Sequence, residues 1–219
     1  MASSLNLPRG ALATAAAACL IALAGCGGDD EASGAGTLMP GFRLTVYYTP
    51  VESFHGGAPQ TIQGCTSIGC ESGIQTLGAF PAGFLSEVQL QGSGRITSGA
   101  HAGQYLHGSF GGGFWIGPSP FDAYGSPLRA FETAAADDAV LPRGTRFKLV
   151  APLTESGGAP LPAAVANRLL SATWDVQDHF EAGYGGARHL DLYVGEQEQP
   201  HFASSPFYLM LVNQTIAVF

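Results

Sequence analysis

Three aspartates in the last third of the chain sit where a carboxyl group can be held for acid chemistry. Asp137 follows Ala134-Ala135-Ala136 and precedes the turn Leu141-Pro142-Arg143-Gly144-Thr145. Asp178 ends Val176-Gln177-Asp178, ahead of His179-Phe180. Asp191 is the centre of His189-Leu190-Asp191-Leu192-Tyr193. Acid-assisted cleavage of a sugar linkage needs a carboxyl that still carries its proton at neutral pH. An unperturbed Asp titrates near 4, so burial or a neighbouring carboxylate must raise it. The strand around Asp191 supplies a suitable face. Period two sends Leu190, Leu192 and Val194 to one side, as core, and His189, Asp191 and Tyr193 to the other. That second set would line a polysaccharide groove, and it equally describes the solvated side of an antiparallel strand.

The elements that must position these residues read mostly as strands. Residues 42–49 alternate apolar with polar and stop at Pro50, and residues 87–91 alternate likewise. Further strands are expected at 128–136, 145–151, 173–178 and 189–194. Residues 207–219 make one long strand or a hairpin around Asn213-Gln214. Residues 162–170 are the best helix, with Pro162 in the first turn and Val165/Leu169 one turn apart. With 31 Gly and 14 Pro in 219 residues, many turns and little helix are expected, which favours an all-β fold. Residues 92–127 are glycine-rich and carry Tyr105, Phe110, Phe114, Trp115, Phe121 and Tyr124. They read either as a long surface loop or as a loop whose aromatic rings stack on sugars at a groove rim. No internal repeat and no second domain is expected.

The first residues address the chain to the cell envelope. One positive charge in the first nine residues and an apolar run over 11–25 make a signal peptide, since a spanning helix needs roughly 20 apolar residues. Leu23-Ala24-Gly25-Cys26 resembles a bacterial lipobox, in which the Cys is lipid-modified and begins the mature chain. By the same resemblance Gly27 directs the protein to the periplasmic face of the outer membrane. The division expected is a signal peptide over 1–25, a lipid-anchored flexible linker over 26–41 and a single domain over 42–219. Cys65 and Cys70 then remain in an oxidising compartment and are expected to pair as a disulfide.

Composition excludes some partners. Only 12% of residues are charged and the net charge is −8, with Lys148 the single lysine, so there is no basic footprint for nucleic acid. No Gly-x-Ser-x-Gly, Ser-x-x-Lys, His-Glu-x-x-His or phosphate-loop motif occurs, and no cofactor is implied. His101, His107, His179 and His189 lack the spacing of metal ligands, so no metal site is assigned. Glu52 and His55 follow the first strand and read as surface loop.

The order of the three aspartates resembles the three-aspartate (3D) domain, of the lytic transglycosylase A and rare lipoprotein A type. Asp137 with Leu141-Pro142-Arg143-Gly144-Thr145 matches the family's first element, Asp178 the second and His189-Leu190-Asp191-Leu192-Tyr193 the third; Tyr47-Tyr48-Thr49-Pro50 echoes its opening strand. Two departures stand out. His179-Phe180 replaces the usual Thr-Gly, and residues 181–187 replace the usual connection. No counterpart of the additional domain that completes the cleft in the lytic enzymes is expected here. The resemblance implies a six-stranded double-psi β-barrel with long glycine-rich loops and at most one or two short helices. It further implies a carbohydrate-active lyase acting on peptidoglycan glycan strands at the MurNAc–GlcNAc bond, with Asp191 as acid and base and Asp178 and Asp137 as the other catalytic carboxylates. His189 and Tyr193 would contact substrate. Asp137, at a strand-to-turn junction, is also explained as an acceptor of backbone N–H groups. The alternative is a non-catalytic barrel that binds glycan strands or another envelope protein.

Overall fold

In the computed structural model, which describes residues 36–108, 113–180, 183 and 186–219, the alternating segment at 42–49 is the inner part of a longer strand, β1 (Thr37–Thr49). There follow β2 (Pro59–Cys65), β3 (Gln75–Pro81), α1 (Ala82–Gln91), β4 (Ser93–Arg95), β5 (Tyr105–His107), β6 (Phe114–Gly117), β7 (Thr133–Ala136) and β8 (Arg146–Val150). The chain ends with α2 (Ala163–Ser171), β9 (Trp174–His179), β10 (His189–Glu196) and β11 (Leu211–Val218). The expected signal peptide, Cys26 and most of the expected linker lie outside the described residues, as does Phe110. The linker's last residues are not loose: Thr37, Leu38 and Met39 pair with Val218, Ala217 and Ile216.

Six strands close a barrel in the order β1-β10-β7-β9-β8-β11, with β1/β10 and β7/β9 parallel. The expected all-β barrel is therefore present, with two α-helices. Its interior is apolar because alternate residues of each strand point inward. Phe42, Leu44, Phe147, Trp174, Val176, Leu190, Leu192, Leu211 and Ile216 are buried there. The alternate positions Thr45, Asp191 and Ala135 point outward, and they are direct neighbours across β1, β10 and β7.

The stretch over 92–127, expected as a long loop, instead contributes three short strands to a second sheet. β3-β2-β6-β5-β4 form a five-stranded sheet with α1 packed on it. Its separate core contains Ile62, Leu77, Phe80, Phe84, Leu85, Val88, Ile96, Leu106 and Ile116. The strands from this stretch are only three or four residues long, too short for alternation to stand out. Glycine allows the close packing. A Cβ on Gly64 would stand 2.2 Å from the Phe114 carbonyl oxygen, and one on Gly94 would stand 2.6 Å from the Phe84 ring.

The strand expected at 87–91 is instead the end of α1. Phe84, Leu85 and Val88, spaced as a helix spaces one face, are buried, while Leu90 is 60% exposed. A strand would have put Val88 and Leu90 on the same side. The strand expected over 128–136 begins only at Thr133, because Phe131 adopts a left-handed backbone (φ 60°). Residues 207–219 contribute the single strand β11, not a hairpin.

Candidate active site

The outward face of the barrel forms one wall of a cavity of about 640 Å³, and the second sheet with α1 forms the other. Asp191, Asp178, Tyr47 and Ala135 line it from the barrel side, and Trp115, Phe121 and Gln89 face them.

Asp191 reaches this wall by simple alternation on β10. Thr45, its partner across the parallel β1/β10 pair, donates its hydroxyl to Asp191 Oδ1 at 2.8 Å. The same Oγ lies 2.7 Å from His189 Nε2. A hydroxyl has one proton, so Thr45 donating to Asp191 accepts from the imidazole N–H. Burial pushes the Asp191 carboxyl up to about 6; the Thr45 bond opposes that and the charge of Asp178 adds to it.

Asp178 reaches the wall by a different device. Ala134 pairs with Val176, but Ala135 pairs with Asp178, so β9 carries one extra residue, Gln177. Without this bulge Asp178 would follow Trp174 and Val176 into the apolar interior. Its carboxylate accepts the Ala123 and His179 backbone N–H groups, each at 2.9 Å, and the Tyr47 hydroxyl at 3.1 Å. Burial raises its pKa, and these three donors hold the rise back. Burial and the two aspartates drive the Tyr47 phenol well above its ordinary value, so Tyr47 acts only as a donor.

The Ala123 N–H is aimed by a built turn. Asp122 is buried and accepts from the Tyr124 and Ser126 N–H groups at 2.9 and 2.7 Å. Arg143 stacks on Tyr124, 4.2 Å from the ring centroid. On the facing wall the His107 ring stacks on Trp115 with centroids 3.8 Å apart, and Phe121 lies 5.6 Å from Trp115. Burial pushes His107 down to about 4, so the stack holds a neutral imidazole at neutral pH.

The remaining expected site residues fall elsewhere. Asp137 does not line the cavity; it accepts the Ala139 N–H at 2.8 Å and the Gly183 N–H at 2.6 Å, and these bonds lower its pKa. His189 and Tyr193 share the outward face with Asp191 but do not line the cavity either. Both are buried, His189 against Thr45 and Tyr193 against Thr49 at 2.7 Å. The Phe180 ring packs on His189, 5.0 Å between centroids, and the Tyr47 ring on Tyr193, at 5.2 Å. Cys65 and Cys70 form the expected disulfide, and Ile68 in its loop lines the cavity. The other histidines scatter, His101 to Gln104 and His179 to the Tyr124 ring. Glu52 is no surface residue: it is buried and accepts four hydrogen bonds from Thr97 and Ser98.

Comparison with solved structures places this barrel beside lytic transglycosylases. The Escherichia coli enzyme MltA with bound chitohexaose is 16% identical over 82% of this chain and 71% of its own, with a TM-score of 0.50. A membrane-bound lytic murein transglycosylase from Agrobacterium tumefaciens is 10% identical over 84% and 76%, with a TM-score of 0.48. LtgG of Burkholderia pseudomallei is 16% identical over 83% and 75%, with a TM-score of 0.43. At these identities the likeness concerns the fold. No family model matches the chain, and no curated protein matches it.

Sequence reasoning missed Thr45, Tyr47, Ala135 and Gln89. Thr45 and Tyr47 were signalled by the alternation of 42–49, which puts them opposite Leu44; nothing local says that their strand lies beside Asp191.

Proposed function

We propose that this chain is an envelope lipoprotein of the 3D-domain type, anchored through Cys26, that cleaves the MurNAc–GlcNAc bond of peptidoglycan as a lytic transglycosylase. The observation that carries the reading is the setting of Asp191: a carboxyl raised to about 6 by burial, at the wall of a cavity faced by aromatic rings. About a tenth of such carboxyls keep the proton at pH 7, against about a thousandth for an unperturbed Asp, and can still release it.

In the proposed reaction Asp191 gives its proton to the glycosidic oxygen as the C1–O bond breaks, and the GlcNAc unit leaves with a free hydroxyl. The 6-hydroxyl of the MurNAc unit then closes on C1, and its proton returns to the Asp191 carboxylate. The nucleophile belongs to the substrate, so proximity replaces an activated water and a second catalytic carboxylate is not required. Asp178 acts at one remove, its charge adding to the burial that raises Asp191. Trp115 and Phe121 offer flat faces to sugar rings. Asp137 holds a turn, and His189 and Tyr193 back the acid without touching substrate.

Digestion in ¹⁸O-labelled water separates the chemistries. A transglycosylase releases 1,6-anhydro sugars, one water lighter than hydrolysis products and free of label. Labelled reducing ends would mean hydrolysis. Intact strands that co-sediment with the protein would mean a binding module.

A further inference from the structure

Outside the cavity, the conspicuous charge cluster of this acidic chain lies at the end of the barrel where β7, β8 and β9 begin. Three of its nine Lys and Arg residues, Arg129, Arg146 and Arg168, line one pocket of about 510 Å³ together with Glu132 and Asp175. Arg129 is engaged by Glu132 at 2.8 Å. Arg146 and Arg168 form no ion pair with a described carboxylate; they lie over the Phe219 and Phe131 rings, at 5.5 and 4.1 Å. Asp175 Oδ1 is buried with no hydrogen-bond partner among the described residues. Phe131, which seats the Arg168 guanidinium, has the left-handed backbone that bulky residues rarely adopt. An unpartnered acceptor, two uncommitted guanidiniums and a strained aromatic thus meet in one pocket.

We propose that this pocket binds a zwitterionic α-amino-acid group, its carboxylate on Arg146 and Arg168 and its ammonium at the pocket-lining Asp175 carboxylate. A bare anion would face like charge at the Asp175 carboxylate. A bare amine would leave two guanidiniums unanswered. An amino acid answers both, and a guanidinium fork fits a carboxylate by shape.

The placement suggests what carries the group, a point that rests on the glycan-strand reading above. Asp175 is three residues before Asp178 on β9, about 10 Å along a strand. A peptide of three residues spans about that distance. A peptide branching from a glycan held in the cavity can therefore place the free amino-acid end of a diamino-acid side chain in this pocket.

The test is calorimetric titration of the full-length protein with meso-2,6-diaminopimelate, using glutarate and cadaverine as controls that carry only carboxylates or only amines. Diaminopimelate binds saturably and at least about tenfold more tightly than either control, as expected when charged hydrogen bonds are added. Arg168→Gln and Arg146→Gln each weaken it about tenfold, Asp175→Asn reduces it to the level of glutarate, and Asp191→Asn leaves it unchanged. No saturable binding, equal binding of all three probes, or indifference to all the pocket substitutions overturns the proposal. Cleavage of strands with and without peptides by Arg168→Gln then tests the carrier. A raised KM only on peptide-bearing strands supports it, and equal KM values overturn the peptide assignment. Absence of any cleavage defeats the transglycosylase reading while the titration still reports on the pocket.

Discussion

Asp191 and Asp178 stand on either side of Ala135, in one row across three neighbouring strands of the barrel. Two strand spacings put their backbones about 10 Å apart. Only a methyl group rises between them, and Ala135 lines the cavity floor. A larger side chain there fills the space over which a sugar must approach Asp191. Ala135→Leu is expected to lower kcat/KM at least about a hundredfold, since small displacements of reacting groups have effects of that size. Ala135 is buried among Tyr47, Leu128 and Tyr193, so Leu should also cost about 1–3 kcal/mol of stability, and kcat/KM is compared at a temperature where both proteins are folded. Full activity in Ala135→Leu would mean that substrate does not cross this floor.

The hydroxyl of Thr45 favours the ionised form of Asp191. Thr45→Val removes that donor, so the pKa of Asp191 rises and the alkaline limb of the rate profile moves to higher pH. A hydrogen bond to a charged group is worth about 1.5 kcal/mol at the low end, which corresponds to about one pH unit. Rates of anhydro-sugar release between pH 5 and pH 8 read the shift directly. A limb that stays in place, or moves to lower pH, would remove Asp191 as the group that sets it.

Asp191 also makes a stability prediction of definite sign. Below the unfolded-chain value near 4 both states carry the proton and the carboxyl adds no penalty. Between there and about 6 the unfolded chain ionises while the folded protein does not, so stability falls as pH rises. Above about 6 the penalty is complete. Asp191→Asn removes it, and urea unfolding should show the variant more stable at pH 7.5 by about 2 kcal/mol, allowing for partial exposure. At about pH 3, below the unfolded-chain value, the two proteins should unfold together. A variant less stable at pH 7.5 would show a carboxylate held charged by its surroundings.

Asp137 carries the opposite sign. Its pKa is lowered by the Gly183 and Ala139 N–H groups, so its contribution is present at neutral pH and disappears as pH falls through the lowered value. Asp137→Asn should unfold at lower urea concentration at pH 7 yet keep the wild-type pH profile of cleavage. A changed profile with unchanged stability would return Asp137 to the catalytic group.

Much of this site was legible because β10 obeys strict alternation, which turns Asp191 outward whatever its neighbours are. Asp178 was not legible in the same way. Alternation through Trp174 and Val176 points it inward, and only the extra residue Gln177, visible once β7 and β9 are paired, turns it out. His189 and Tyr193 were correctly placed on the outward face, but their burial depends on groups distant in sequence, such as Tyr47 against Tyr193 and Thr45 against His189. In the second sheet β4, β5 and β6 escaped because none is longer than two alternation periods and they lie among glycines, and β2 and β3, seven residues each, were overlooked. The helix α1 escaped because Glu87-Val88-Gln89-Leu90-Gln91 satisfies period two as well as a helix; the exposure of Leu90 decides it.

The most direct measurement of the central claim is digestion of purified sacculi by the full-length protein and its Asp191→Asn variant, with mass spectrometry of the released muropeptides. Asn keeps the size of the side chain and cannot donate an acid proton. The expected result is anhydro-muropeptides from the wild type and none from the variant, with both proteins sedimenting equally with the sacculi. Equal release by both would contradict Asp191 as the acid. No release by either, with sedimentation intact, would contradict enzymatic cleavage and leave a glycan-binding barrel.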